Sequence, residues 1–230
     1  MTEIQQLFNR IAPKYDQLNQ WLSLGQHRLW KKMAVRWCEP QPGQVFLDLC
    51  CGTGDLALML APYLYPGGQV VGVDFAVQLL AIADQKSKEL LPKYQSLLSW
   101  HQGDVLALDF PSHSFDGAVI SYGLRNVVDI SGCLTELHRL LKPGAIATIL
   151  DFHKPTSGVV AEFQTWYLAN VVVPLADQFG LRSDYAYIFP SLEKFPQGVV
   201  QEQLAIAAGF AEAQHFNLAA GMMGILKLRA

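Results

Sequence analysis

Five near-continuous apolar runs, set between stretches of helical spacing, constrain this chain more than any other feature. They are Val45–Cys50 (VFLDLC), Gln69–Asp74 (QVVGVD), Leu98–Gln102, Gly117–Ser121 (GAVIS) and Ala145–Phe152 (AIATILDF). Strands whose two faces are both covered are apolar throughout rather than alternating. Between them, Gly54–Leu64, Ala76 to about Leu91 and Ile130–Leu141 carry apolar residues at helical spacing. Strand–helix–strand units with right-handed crossovers predict a doubly wound, mostly parallel α/β sheet.

After residue 152 the pattern changes. Gly158–Val173 and Gln197–Ala208 read as helices, and two last strands are expected near Ala213–Leu218 and Met222–Leu228. The short connection at Ala220-Gly221 makes that pair antiparallel. The fold expected is therefore α/β, with a seven-stranded sheet, an antiparallel final strand and an N-terminal helical cap. Residues 1–40, with Trp21, Trp30 and Trp37, would form the cap over the carboxyl ends of the strands. One domain spans 1–230: the cap, a cofactor-binding core over 41–153, and substrate-side helices with the final strands over 154–230.

Composition narrows the function. Net charge is −3, which leaves no basic footprint for nucleic acid. Cys38, Cys50, Cys51 and Cys133 form no CxxC pair and have no histidine at metal spacing, so reduced thiols and no metal are expected. The first residues carry acid and amide groups where a secretory signal needs an apolar run. The longest uncharged apolar run, Phe163–Ala176, is short for a membrane span. A cytoplasmic protein that touches a membrane only at its surface is the expectation, and a homodimer is a further one.

Ligands of such sheets bind at the carboxyl ends of the strands. The first end reads Leu47-Asp48-Leu49-Cys50-Cys51-Gly52-Thr53-Gly54-Asp55. Gly52 and Gly54 permit a tight turn and close approach of a ligand. Asp74, ending the second strand, can accept from ribose hydroxyls. This much fits a dinucleotide or S-adenosylmethionine. Asp48 and Asp55 decide between them: carboxylates beside the loop would repel a pyrophosphate at the helix N-terminus. The sulfonium and ammonium of S-adenosylmethionine suit them. Asp104, after the third strand, could accept from an adenine amine while Val105 packs on the ring.

The sequence resembles the UbiE/MenG quinone C-methyltransferases, within the class I methyltransferases. The resemblance runs through Phe8–Asp16 (FNRIAPKYD), Gly25–Lys31 (GQHRLWK), the loop Leu47–Ala57, Tyr122–Val127 (YGLRNV), Phe195-Pro196 and Asn217-Leu218. Cys50-Cys51 stands where the family usually has Ala-Gly, and Asp151-Phe152 where it has Glu-Phe. With Ser23–Arg28 and Tyr185–Ile188, these variants resemble the cyanobacterial and plastid branch, which methylates 2-phytyl-1,4-naphthoquinone in its reduced form. The menaquinone and ubiquinone branches are the alternatives. The resemblance implies that Thr53, Asp74, Asp104, Val105 and Ser121 line the cofactor; the physical argument adds Asp48, Gly52 and Gly54.

Methyl transfer to a ring carbon needs an electron-rich ring, hence the hydroquinone, and a group to remove or stabilise its hydroxyl proton. Arg125, Asn126 and Tyr15 are the candidates. An arginine stays protonated, so Arg125 would act electrostatically, with deprotonation through water. Its structural alternative is an ion pair tying down its loop. Asp151 and His153, after the fifth strand, are also expected to face the site, His153 as an alternative base. The other histidines, His27 among them, read as structural or surface groups, and Cys50 and Cys51 as packing residues. The Phe163–Ala176 segment could wall a tunnel for the prenyl tail. A methyltransferase of another acceptor, a non-catalytic scaffold and a nicotinamide dehydrogenase are the competing readings; the Tyr122–Val127 motif and the three acids weigh against them.

Overall fold

A computed structural model describes residues 3–23, 25–178 and 188–230. Leu24 and Tyr185–Tyr187, part of the branch signature, lie outside the described residues. Seven strands form one sheet: β1 (Val45–Leu49), β2 (Gln69–Asp74), β3 (Leu98–Gln102), β4 (Phe115–Ser121), β5 (Leu141–Phe152), β6 (Glu212–Leu218) and β7 (Met223–Arg229). Their order is β3-β2-β1-β4-β5-β7-β6. β7 runs antiparallel to both neighbours and the rest pair in parallel. The order reverses between β1 and β4, so their carboxyl ends open a crevice.

The apolar runs became strands because helices cover both faces. α4 (Asp55–Leu64) and α5 (Val77–Ser87) are the first two crossovers, followed by the one-turn α6 (Pro92–Gln95) and by α7 (Ile130–Leu140). Phe46, Leu56, Leu60, Leu64, Val70 and Val119 form a core on one face. Leu47, Leu49, Ile120, Leu134, Leu137 and Leu226 form a larger one on the other. Two strands are longer than their apolar patterns suggest. β4 begins at Phe115, and β5 takes in Leu141–Gly144 across an irregular register before Gly117 pairs Ile146.

The N-terminal segment divides in two. α1 (Glu3–Ile11) and α2 (Tyr15–Leu22) reach over the carboxyl ends: the Gln5 amide donates to Phe75 O at 2.6 Å, and the Gln78 N–H to Asn9 Oδ1 at 3.1 Å. α3 (His27–Trp37) packs instead on the sheet, where the Thr148 hydroxyl donates to Ala34 O at 3.0 Å.

Beyond the sheet, α8 (Gly158–Tyr167) does not stop near Pro174. It passes through a π-helical stretch, Leu168–Val172, into α9 (Val173–Asp177). Pro174 starts this last piece, where its missing N–H costs little. The continuous helix, 158–177, is by length and composition long enough to cross a membrane, which corrects the shorter run read from the sequence. Leu168, Val172 and Ala176 bury against Ile11 and Leu192. α10 (Ile188–Lys194) and α11 (Gly198–Ala207) complete the fold.

Candidate active site

The loop after β1 turns back under α4 through left-handed residues: Cys50, Gly52 and Gly54 have φ of 55°, 55° and 79°. The two glycines serve different neighbours. A Cβ on Gly52 would lie 3.5 Å from the Tyr15 ring, so here the cap closes onto the loop. A Cβ on Gly54 would lie 2.5 Å from the Trp100 ring, so this glycine makes room for a core side chain. Cys50 lines the crevice, while the Cys51 thiol faces Gly72 and Trp100. Burial pushes both thiols well up, so neither is a ready nucleophile.

Asp74 holds the loop's shape. Its Oδ2 accepts from Gly52 N at 2.8 Å and its Oδ1 from Ala76 N at 2.9 Å. Burial raises its pKa to about 6 against those bonds. Asp48 is 1% exposed; its Oδ2 accepts from Ala57 N at 2.9 Å while Oδ1 has no partner. Burial raises it to about 8. A cation placed beside Asp48 would restore its ionised form, whereas an added phosphate would oppose it. Asp55 differs. Both its oxygens are taken, one by Lys31 at 2.8 Å and one by Lys86. Burial alone would raise it, but the two ammoniums hold it far below the usual range. Its charge is already answered, so the case against a pyrophosphate rests on Asp48 and Asp74.

Lys86 also donates to Asp16 Oδ2 at 2.9 Å and to the Thr53 hydroxyl at 3.2 Å; Thr53 in turn donates to Asp16 Oδ1 at 2.6 Å. Thr53 is thereby turned into an ionic network that pins α2 to the loop. It lines neither of the cavities described next, and neither does Ser121, which ends β4 opposite Leu150.

A cavity of about 350 Å³ runs from α1 along the carboxyl ends of β1, β2 and β3, with Phe75, Asp104, Val105 and Asn126 in its walls. Asp104 Oδ1 accepts from Leu106 N at 3.0 Å. A smaller space of about 30 Å³, the size of one water, lies further in, bounded by Asp74, Gly52, Tyr15 and Tyr122. The slot thus passes Asp104, then Asp74, and ends at two tyrosines.

The turn after β4 is strained: Tyr122 has φ 59°, costly for an aromatic residue. It is anchored by its N–H to Leu150 O at 2.8 Å. Arg125 Nη1 donates to Tyr122 O at 3.1 Å and to Asp151 Oδ1 at 2.5 Å; Asp151 Oδ2 also accepts from Arg125 N at 3.1 Å. The guanidinium lies 5.1 Å from the centre of the Phe152 ring. Arg125 is thus the loop-tying ion pair read as its structural alternative, yet its buried Nε keeps a donor without a partner. The Asn126 side-chain amide donates to Tyr122 O at 3.1 Å.

The unpartnered buried polar atoms among the described residues are Asn19 Nδ2, His27 Nδ1, Asp48 Oδ1, Tyr122 Oη and Arg125 Nε. They belong to α2, α3, β1 and the turn after β4, and Tyr122 is the one of these residues that lines the inner space. His27 Nε2 lies 3.0 Å from Gln20 Oε1 and so carries the proton, which leaves Nδ1 as a bare acceptor. Burial lowers His27 to about 4 and raises the Tyr15 and Tyr122 hydroxyls. Sequence reasoning missed Asn19, His27 and the Tyr122 hydroxyl.

His153 does not join this group. Its Nε2 meets His215 Nε2 at 3.1 Å across Gly224, where any Cβ would strike both rings. Burial, with His215 beside it, lowers it to about 3, and it lines a separate cavity with Asn217 and Gly221. Only its neighbour Asp151 faces Arg125, which corrects the expectation that both do.

A family model described as the ubiE/COQ5 methyltransferase family matches residues 1–227. The chain belongs to this methyltransferase family. It is 53% identical to a 2-phytyl-1,4-naphtoquinone methyltransferase of a Nostoc strain, over 97% of both chains. It is 54% identical to the protein of that name in Synechocystis, over 97% of this chain and 93% of the other. With the chloroplastic 2-phytyl-1,4-beta-naphthoquinone methyltransferase of Arabidopsis thaliana it shares 44%, over 96% and 84%. Solved structures give the same fold at low identity. A methyltransferase from Aquifex aeolicus described as SAM dependent superimposes with a TM-score of 0.66 at 14% identity, covering 93% of this chain and 97% of that one. Another SAM-dependent methyltransferase, from Thermotoga maritima, gives 0.67 at 16%, covering 97% and 98%.

Proposed function

We propose that this chain transfers a methyl group from S-adenosylmethionine to the ring carbon of reduced 2-phytyl-1,4-naphthoquinone. The buried Tyr122 hydroxyl, unpartnered at the inner end of the slot, carries this reading, with the unpartnered Asp48 Oδ1 and Arg125 Nε on the strand before the loop and in the turn after β4. Such atoms are rare in native proteins and ask for a ligand or ordered water.

The residues fit the co-substrate. Val105 and Phe75 offer apolar walls for an adenine, and Asp104 an acceptor for its amine. Asp74 has lone pairs left for ribose hydroxyls. Asp48, protonated for want of a cation, suits an ammonium, directly or through water. Gly52 gives the backbone room, while Gly54, Thr53 and Ser121 shape the site from behind. Bound there, the co-substrate supplies an electrophilic methyl on sulfur.

The chain's own groups then prepare the acceptor. Arg125 Nε is placed to donate to a ring oxygen as it becomes a phenolate, and Asp151 fixes the guanidinium for that task. Because Asp151 already balances its charge, Arg125 stabilises the phenolate by an oriented hydrogen bond and takes no proton itself. The proton leaves through water. The ring carbon forms its bond to the methyl as the carbon–sulfur bond breaks, and the carbon's own proton is lost afterwards. Asn126 and Tyr15 close the space around the ring.

The relatives' shared name favours the naphthoquinone over a methoxybenzoquinone. The exposed face of α8, with Val159, Phe163 and Trp166, offers an apolar contact for a membrane surface. The test is labelled methyl transfer to reduced 2-phytyl-1,4-naphthoquinone and, separately, to a reduced polyprenyl methoxybenzoquinone. A strong preference for the naphthoquinol is expected. Equal rates, or preference for the benzoquinol, would overturn the assignment of the acceptor.

A further inference from the structure

We propose that a second cavity, between α3, α8 and β7, takes the first isoprene unit of the acceptor's tail, and that the rest of the tail stays outside the protein. The proposal rests on the functional reading above and extends it to the tail.

The cavity has a volume of about 120 Å³, and its walls include Trp30, Phe152, Leu168, Met222 and Met223. Three of the polar side chains around it are already committed. The Ser23 hydroxyl donates to Asn19 O at 2.7 Å, the Gln164 amide to His153 O at 2.8 Å, and the Tyr167 hydroxyl to Trp21 O at 3.0 Å. None of the five unpartnered atoms belongs to a residue of its walls. A space walled mainly by apolar side chains, with the Gln26 amide at its rim, favours a hydrocarbon over water or a polar ligand.

One of its wall residues, Phe152, touches the turn after β4. The Phe152 ring packs against Tyr122, 5.1 Å between centres, and has the Arg125 guanidinium 5.1 Å from its centre. Phe152 therefore stands between the groups that would hold the ring and the space that would hold the tail. At the other end stands Phe163, half-exposed and stacked on Trp166. A substituent on a ring held by Arg125 can run past Phe152 and leave over Phe163.

Size limits what enters. At roughly 30 Å³ for a small group, the share of one water, the cavity takes about four of the five carbons of one isoprene unit. Each buried methylene strengthens binding about fourfold. The tail's contribution should therefore come with its first isoprene unit.

The experiment is a chain-length series in one detergent: reduced 1,4-naphthoquinone bearing no tail, one isoprene unit, two units and phytyl. The proposal predicts a gain in kcat/KM on the order of 100-fold from no tail to one unit, then less than about fivefold up to phytyl. Gln26→Trp and, independently, Met222→Trp set an indole into the cavity. Each should remove most of the one-unit gain, measured as the ratio of tailed to tail-less kcat/KM. Equal kcat/KM for every acceptor, a gain that keeps growing by equal factors to phytyl, or an unchanged ratio in both variants would overturn the proposal alone. Methylation of none of the acceptors by a protein that binds labelled S-adenosylmethionine would overturn the functional reading and the proposal with it.

Discussion

Two polar regions flank the loop after β1, and they are built in opposite ways. On one side Asp16, Thr53, Asp55, Lys31 and Lys86 form a network in which two acids meet two lysines. On the other, Asp48, Tyr122 and Arg125 each keep a buried atom without a partner. The first region is complete by itself and fastens the cap to the loop. The second is incomplete by itself, and burial without partners is costly. A fold keeps such a cost where a ligand repays it. The acids nearest the loop in sequence are thus not equivalent: Asp55 is held by two lysines, and Asp48 keeps an unpartnered buried oxygen.

The sharpest way to break this contrast is Arg125→Lys. It keeps a cation for Asp151 but loses the planar fork and the Nε donor. A fall in kcat of about 10²–10³ is expected, with the Kd for S-adenosylmethionine within about threefold, read by steady-state kinetics beside calorimetry. A large loss of affinity with kcat preserved would place Arg125 in the wrong half of the reaction.

Asp48→Asn comes next. The folded-state pKa values of Asp48 and Asp74 lie near 8 and 6, above the ordinary carboxylate value near 4. Each is neutral in the fold over a range where the unfolded chain is ionised. Their contribution to stability is therefore full below about pH 4 and is lost as pH rises through 6 and then 8. Above about pH 7, where His27 and His153 are neutral folded or unfolded, Tm of the ligand-free protein should fall towards pH 8, and Asp48→Asn should flatten that slope while weakening S-adenosylmethionine binding about tenfold. A parallel slope in the variant would mean that Asp48 is ionised in the fold.

Tyr122→Phe sharpens the contrast at a single atom. The hydroxyl has no partner, so its removal should leave Tm unchanged or slightly higher, while kcat/KM for the acceptor drops about five- to tenfold. A clear loss of Tm would show that the hydroxyl is already satisfied.

The smallest effect is expected on the completed side. Lys86→Met leaves Asp55 its bond to Lys31. These groups are partly solvent-screened, so the cost should be about 1 kcal/mol or less, read by denaturant titration, with kcat within about threefold. A loss of kcat matching that of Arg125→Lys would erase the distinction between scaffold and site.

The strands and the glycine loop were readable because continuous apolar runs and glycine spacing are local properties. Asp48, Asp74 and Asp104 were readable because strand ends place them. The rest depends on residues far apart in the chain. Gly54 looked like a place for a ligand, but Trp100 of β3 fills the space beside it. Asp55 looked free until Lys31 and Lys86 were found on either side. His27 and Asn19 carry no local signal, since their unpartnered atoms arise only when the cap closes. Proline at 174 suggested a helix end, and a π-helical stretch just before it lets the helix continue. A positive φ at Tyr122 is equally invisible in the sequence, though the motif around it pointed to the turn.

The central claim is that the unpartnered chamber activates a reduced ring. Anaerobic single-turnover transfer of labelled methyl from pre-bound S-adenosylmethionine to 2-phytyl-1,4-naphthoquinone, with and without dithionite, tests it most directly. The account predicts label in the naphthoquinone product only with dithionite, and a rate about 10²–10³ lower in Arg125→Lys. Transfer to the oxidised quinone, or an Arg125→Lys rate equal to that of the unaltered chain, would contradict it.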